Sequence, residues 1–341
     1  MAILKTDPLR EDSAPAPAGD SNHALRQTVA LLQQQCQELA EQLKAARGEL
    51  AQVSVREGEL RAVLERATEM DAHLDRLKKT LRKTTMAQRV TAAIEGAEYH
   101  RTPFPYTVID NFLPAVFYDA LLAGIPPVEL FESKPMGKQH LDVPFSLAPL
   151  YSQRIWRFMA NELIPNVITP ALIAKFRVEI DDWIGRNWPG LAPDSIELRG
   201  SGGRIMYRRR GYRIRPHRDP KWSFITCILY LAFPGDDETW GTQMYAVRND
   251  REATSAAPYW IDEKDVTLVE DVKFVPNRCV VFLNSDGAHG AFIPPDAEPA
   301  DLRRYIYQFR IGPTTEWIAR LKAMLPESRQ SLWAGKALVD Y

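Results

Sequence analysis

A mainly β domain braced by helices, preceded by a long N-terminal α-helical coiled coil, is the architecture this sequence predicts. Three observations carry it. A seven-residue apolar ladder runs through a stretch from residue 22 to 90 that contains no proline. Helical periodicity marks 151–188, and strand-forming runs dominate from about 196 to 313. A chain of 341 residues, 45% hydrophobic, can hold one large domain with an extension.

The first 21 residues carry three prolines among small and charged residues and have no periodic pattern, which predicts a disordered tail. The ladder then takes Leu25, Leu32, Leu39, Ala46, Val53, Leu60, Ala67, Leu74 and Leu81. A second ladder, four residues on in each heptad, takes Val29, Cys36, Leu43, Leu50 and Leu64. Apolar residues repeating this way place a narrow stripe on one side of a helix, the seam of a coiled coil. A helix of this size would extend roughly 90 Å at 1.5 Å per residue. The seam predicts a homo-oligomer, dimer or trimer. A single helix folded back on the β domain is the competing arrangement.

Pro103–Pro114 reads as a short strand ending in a turn that opens a helix through about Leu122. Residues 125–150, with repeated proline and glycine, read as loop. Ile155, Phe158, Met159, Leu163, Leu172, Phe176, Ile180, Trp183 and Ile184 fall at helical spacing and predict helices bracing the β domain. Within the β region, Phe224–Leu231, Cys279–Leu283 and Arg304–Ile311 are continuous runs rich in β-branched and aromatic residues, as in strands buried on both faces. Such a strand series predicts a double-stranded β-helix, or jelly roll. Residues 317–341 read as a helical tail.

Composition narrows the function. The net charge of −1 gives no overall pull toward nucleic acid or an anionic membrane. No apolar run approaches the roughly 18 residues of a membrane span, and no apolar stretch follows a basic start at the N-terminus. The three cysteines, Cys36, Cys227 and Cys279, have no paired spacing. They argue against a disulfide framework and for a reducing, cytoplasmic setting.

The chemistry-bearing motif is His217-Arg218-Asp219, with His289 72 residues later. Side chains alternate faces along a strand, so His217 and Asp219 share a side. Two imidazoles and a carboxylate can cover one face of an octahedral iron(II) and leave the other positions open. The motif is followed by the run Phe224–Leu231; His289 follows Cys279–Leu283 and a short polar turn; a strand with a cation at its start, Arg304, comes next.

This order resembles the iron(II)/2-oxoglutarate-dependent oxygenases, in particular their prolyl-4-hydroxylase-like branch, over roughly residues 103–316. The resemblance implies that His217, Asp219 and His289 are the metal ligands and that Arg304 clamps the distal carboxylate of 2-oxoglutarate. Arg303 and Arg310 compete with it for that place. Tyr230 and Tyr207 would bind the same co-substrate. Dioxygen would be the second co-substrate, and succinate and CO2 the products alongside an oxidised substrate. A small residue in place of Asp219 would leave room for a halide, as in related halogenases; the carboxylate points to hydroxylation or another oxidation such as desaturation. The match to the family is incomplete, since its usual double glycine near Trp240-Gly241 and the serine two residues after the clamp are missing.

Other readings stay open at this point. The same His2Asp set could hold zinc in a hydrolase, or the β domain could be a non-enzymatic binding module carried by a coiled-coil scaffold. Between 204 and 218 lie seven arginines, Arg204, Arg208, Arg209, Arg210, Arg213, Arg215 and Arg218. They read either as a solvated loop or as an electropositive rim for an anionic substrate. The substrate class, whether small molecule, glycan or peptidyl residue, is not separated by the sequence.

Overall fold

The computed structural model describes residues 18–80, 83–134, 138–141, 145–249, 259–330 and 333. The tail expected over 1–21 falls mostly outside these residues, as do Leu81 and most of 331–341. The chain divides into two compact units, residues 1–66 and 67–341.

In the first unit the described element is helix α1 (Ala18–Thr80), whose last turns count with the second unit. Its ladder residues Leu25, Val29, Leu32, Leu39, Leu43, Leu50, Val53 and Leu60 are 47–69% exposed. That is an apolar stripe with nothing from its own unit to cover it.

After those last turns of α1 the second unit continues with α2 (Lys83–Gly96), and here the heptad reading needs correction. The seam was expected to continue to residue 90. Instead Met86, Val90 and Ile94, spaced by four, are buried in the core of this unit. They pack with a π-helical stretch, Met159–Ile168, and with α5 (Thr169–Lys175). Lys175 closes the end of α2 by donating from Nζ to the carbonyls of Ala97 (2.7 Å) and Glu95 (3.3 Å), a cation at a helix C-terminus. Met86, Val90 and Ile94 lie off the heptad ladder, which ends at Leu81, and their four-residue spacing marks one face of a helix laid on a globular core.

The remaining helices are α3 (Ala115–Ala123), α4 (Leu150–Phe158), α6 (Arg177–Asn187), α7 (Thr315–Ala323) and α8 (Glu327–Gln330). Fourteen strands are described: β1 (Tyr99–His100), β2 (Tyr106–Ile109), β3 (Phe131–Lys134), β4 (Lys138–Leu141), β5 (Leu198–Gly200), β6 (Arg204–Arg208), β7 (Arg213–Arg218), β8 (Ile225–Leu231), β9 (Thr242–Val247), β10 (Tyr259–Trp260), β11 (Val266–Val272), β12 (Cys279–Leu283), β13 (Ala288–Phe292) and β14 (Arg304–Pro313). The larger sheet runs β1-β2-β12-β8-β14-β6-β4-β3, with β5 also on β14; the smaller runs β10-β7-β13-β9-β11. All described pairings are antiparallel, and the two sheets face each other in the expected jelly-roll arrangement. The hairpin β3–β4 occupies part of the stretch that reads as loop in the sequence.

Alternation along the larger sheet sorts its side chains into two layers. Ile225, Cys227, Leu229 and Leu231 of β8, with Tyr305, Tyr307, Phe309 and Ile311 of β14, meet the bracing helices. Ile228 and Tyr230 of β8, Ile306 of β14, Val280 and Phe282 of β12, and Met206 of β6 point the other way, toward Met244 and Val272 of the smaller sheet. Both faces of these strands are therefore buried, and the runs read as continuously apolar. Gly211 makes the turn from β6 in one sheet to β7 in the other at φ +76°, a backbone conformation that a side chain resists.

If α2 belongs to the folded core, Ile94→Ala should cost about 2–5 kcal/mol, while Leu39→Ala should leave the unfolding of this unit unchanged. Urea denaturation followed by tryptophan fluorescence checks both, because all eight tryptophans lie at residue 156 or later.

Candidate active site

The register between β7 and β13 sets His289 directly opposite His217, with ring centroids 4.2 Å apart. Asp219 follows one residue beyond the end of β7. The three side chains are buried, and one nitrogen or oxygen from each lies within 4.8 Å of the others. Of the described residues, this is the group of histidine, cysteine or carboxylate side chains that could hold a metal ion.

Each member is held by neighbours. His217 Nδ1 lies 2.9 Å from the carbonyl of Arg215. A carbonyl only accepts, so Nδ1 carries the proton and Nε2 keeps its lone pair. Asp219 has both carboxylate oxygens engaged: Oδ1 accepts from Arg310 Nη2 at 3.0 Å and Oδ2 from the Thr226 hydroxyl at 2.6 Å. Its backbone is clamped by Asn284, which accepts from the Asp219 N–H at 3.1 Å and donates to the carbonyls of Asp219 (2.7 Å) and Pro220 (3.0 Å). Burial alone would raise the Asp219 pKa. The Arg310 guanidinium foremost, with the His289 and His217 rings and the Thr226 hydroxyl, outweighs it and holds the carboxyl well below its ordinary range.

The trio lines a cavity of about 240 Å³ between the sheets, together with Arg208, Tyr212, Ile214, Ile228, Thr242, Ala291, Arg304, Ile306, Gln308 and Arg310. Along β14 the inward residues are Arg304, Ile306, Gln308 and Arg310, every second position. Arg304 is 2% exposed, with its guanidinium carbon 4.5 Å from the Phe274 ring centre and 5.4 Å from that of Tyr230. Its Nε has no hydrogen-bond partner. Burial, reinforced by the charge of Arg208, pulls Arg304 down to about 10.

The candidate residues divide by their place in the fold. His217, Asp219, His289 and Arg304 meet at one cavity. Arg303 is exposed and precedes β14, and Arg310 is engaged by Asp219. Tyr230 lies on the inner face but behind the cavity wall. It packs under Arg304, its hydroxyl donates to Thr242 Oγ1 at 2.8 Å, and burial pushes its pKa up to about 12. Tyr207 is not brought to the cavity. It faces the helix side of β6, where its ring meets Phe131 (5.2 Å) and Tyr305 (5.2 Å) and its hydroxyl accepts from Arg209. The inward position next to it is Arg208.

Of the seven clustered arginines, Arg208 lines the cavity, while Arg204, Arg209, Arg210, Arg213 and Arg215 are exposed. Arg218 is buried and donates to the carbonyls of Asp286 and Gly287. Asn284, Thr226 and Arg208 were not singled out individually from sequence. A lone threonine in the apolar run Phe224–Leu231 was the one signal available for Thr226.

No family model and no curated protein matches the chain. Among solved structures it is similar to a prolyl-4-hydroxylase of Pseudomonas putida, at 14% identity, covering 66% of this chain and 98% of that one, TM-score 0.36. It is also similar to a Trichoplax adhaerens prolyl hydroxylase in complex with a hypoxia-inducible-factor oxygen degradation domain fragment, at 11% identity, 71% and 94% coverage, TM-score 0.37. A third is the non-heme α-ketoglutarate-dependent epimerase SnoN from nogalamycin biosynthesis, at 13% identity, 74% and 91% coverage, TM-score 0.39. No described helix is long and apolar enough to cross a membrane.

The electrostatics of Asp219 have a testable sign. Its depressed pKa stabilises the metal-free fold above the unfolded value of about 3.9, and this is lost as pH falls through the folded pKa. Arg310→Met removes the largest of the influences that depress the folded pKa, so the stabilisation carried by the ionised carboxylate shrinks. The variant should be less stable than wild type at neutral pH, with the gap narrowing as pH drops below about 5. Urea midpoints across that range measure it; a gap independent of pH would show that Arg310 acts by packing alone.

Proposed function

We propose that the chain is an iron(II)- and 2-oxoglutarate-dependent dioxygenase that hydroxylates a C–H bond of its substrate. The observation that carries this reading is the pairing, within one cavity, of a buried His2Asp trio with a buried arginine lacking a salt-bridge partner among the described residues. The donor set fits ferrous iron, which takes imidazole and carboxylate together and leaves positions open. The guanidinium suits a carboxylate, which it grips through parallel hydrogen bonds. His217, Asp219 and His289 would hold the iron and Arg304 the distal carboxylate of 2-oxoglutarate. Bound there, iron would supply the redox chemistry that converts 2-oxoglutarate, dioxygen and a C–H bond into succinate, CO2 and a hydroxyl.

The chain's own residues would do the rest. Arg310 and Thr226 fix the direction of the Asp219 carboxylate, and the Arg215 carbonyl fixes the His217 tautomer. Ile214, Ile228, Ile306 and Ala291 supply apolar wall between the polar groups. Trp260, 38% exposed and 5.5 Å from the His217 ring, offers a flat face beside the trio for a substrate. A zinc hydrolase would have no use for the buried arginine, and a binding scaffold none for the ordered trio. Small-molecule, glycan and peptidyl substrates all remain compatible.

The test is anaerobic iron(II) binding followed by aerobic turnover of 2-oxoglutarate to succinate. Wild type should bind one iron per chain, and His289→Ala should lose turnover altogether. Arg304→Ala should raise the 2-oxoglutarate requirement by an amount equivalent to about 2–5 kcal/mol, with Arg303→Ala near wild type. Turnover retained in His289→Ala would refute the assignment.

For the exposed ladder of α1 we propose a second copy of this chain as its cover. A narrow apolar stripe suits a helix-on-helix seam. Light scattering of the full chain should give a dimer or trimer, and Leu32→Asp with Leu39→Asp should shift it to monomer. A monomeric wild type would refute the seam.

A further inference from the structure

Arg208 is a charged cavity residue that this function leaves without a role. The antiparallel register of β6 on β14 sets Arg208 directly opposite Arg304. Both side chains line the cavity and are buried, at 5% and 2% exposure. Both have a buried Nε without a hydrogen-bond partner. The polar contacts of Arg208 are weak: Nη1 to its neighbour's carbonyl at 3.4 Å and Nη2 to the Met206 sulfur at 3.6 Å. Its guanidinium lies 4.7 Å over the Tyr212 ring. Neither arginine has a salt-bridge partner among the described residues.

Like charges directly opposite on neighbouring strands repel, and a buried charge without a partner is costly. Such an arrangement is stable in use when an anion completes it. One carboxylate has two oxygens and about four acceptor sites, enough for two guanidinium groups. We propose that Arg208 and Arg304 together form a two-arginine anion site that bridges the distal carboxylate of a 2-oxo diacid. Arg208 thereby sets selectivity for dicarboxylates over monocarboxylic 2-oxo acids. The inference rests on the co-substrate reading above and adds a second residue to it.

The experiment is calorimetric titration of the full chain, metal-free and loaded with manganese(II). The probes are glutarate, which has both carboxylates but no 2-oxo group to chelate a metal, 2-oxoglutarate, and the monocarboxylate 2-oxopentanoate. Wild type should bind glutarate with or without metal. In Arg208→Met the glutarate and 2-oxoglutarate dissociation constants should rise at least about tenfold, with partial recovery in Arg208→Lys. Manganese(II) and 2-oxopentanoate binding should stay as in wild type. Ligand-free Arg208→Met should also melt at a higher temperature than wild type, since one of two repelling buried charges is gone. Unchanged dicarboxylate binding in Arg208→Met, alongside its loss in Arg304→Met, would overturn this inference alone and leave Arg208 to an anionic group of the substrate. Failure of wild type to bind either dicarboxylate, with or without manganese(II), would instead remove the co-substrate reading itself.

Discussion

The period of two along β14 is the constraint on which the site depends. Arg304, Ile306, Gln308 and Arg310 point into the cavity, and Tyr305, Tyr307, Phe309 and Ile311 point to the helices. A slip of one residue would exchange the sets, burying two guanidinium groups under helices and filling the cavity with aromatic rings. The outward aromatic and aliphatic layer therefore fixes the position of the inward charges. The bracing helices lie away from the cavity but hold that register, through contacts such as Trp156 on Tyr307.

The same logic orders the other wall. The pairing of β13 on β7 places His289 across from His217, and the polar turn before β13 supplies Asn284 to clamp the Asp219 backbone. A cluster assembled from two strands and a turn is held by backbone pairing on one side and by side-chain hydrogen bonds on the other. The cavity then carries Arg208, Arg304 and Arg310 against the single carboxylate of Asp219. Arg310 is matched by that carboxylate; the other two are not. This excess of positive charge inside a small volume is the strongest physical pointer to an anionic occupant.

Much of this was legible in the sequence because it depends on order and alternation. The runs Phe224–Leu231, Cys279–Leu283 and Arg304–Ile311 mark strands by their apolar continuity, with the His-x-Asp motif shortly before the first and His289 between the second and third. What failed was whatever needed a face to be chosen without a polar partner to mark it. Tyr207 and Arg208 are adjacent, both can serve a co-substrate, and the cluster of arginines around them hides which one turns inward. The pairing with β14 decides it, and that pairing is nonlocal. The β3–β4 hairpin was missed because its strands are short and it is punctuated by proline and glycine. The bound of the seam at residue 90 lay too late because the ladder itself stops at Leu81, and Met86, Val90 and Ile94 follow a four-residue spacing that serves the domain core.

The central claim is that one cavity holds a metal at His217, Asp219 and His289 and a dicarboxylate at its arginines. A crystal structure grown without oxygen, in manganese(II) and 2-oxoglutarate, tests it most directly. The account predicts an anomalous peak bonded to those three side chains, with one carboxylate of the diacid on Arg304 and its 2-oxo end toward the metal. Metal bound elsewhere, or the trio filled while the arginines contact no ligand, would contradict it.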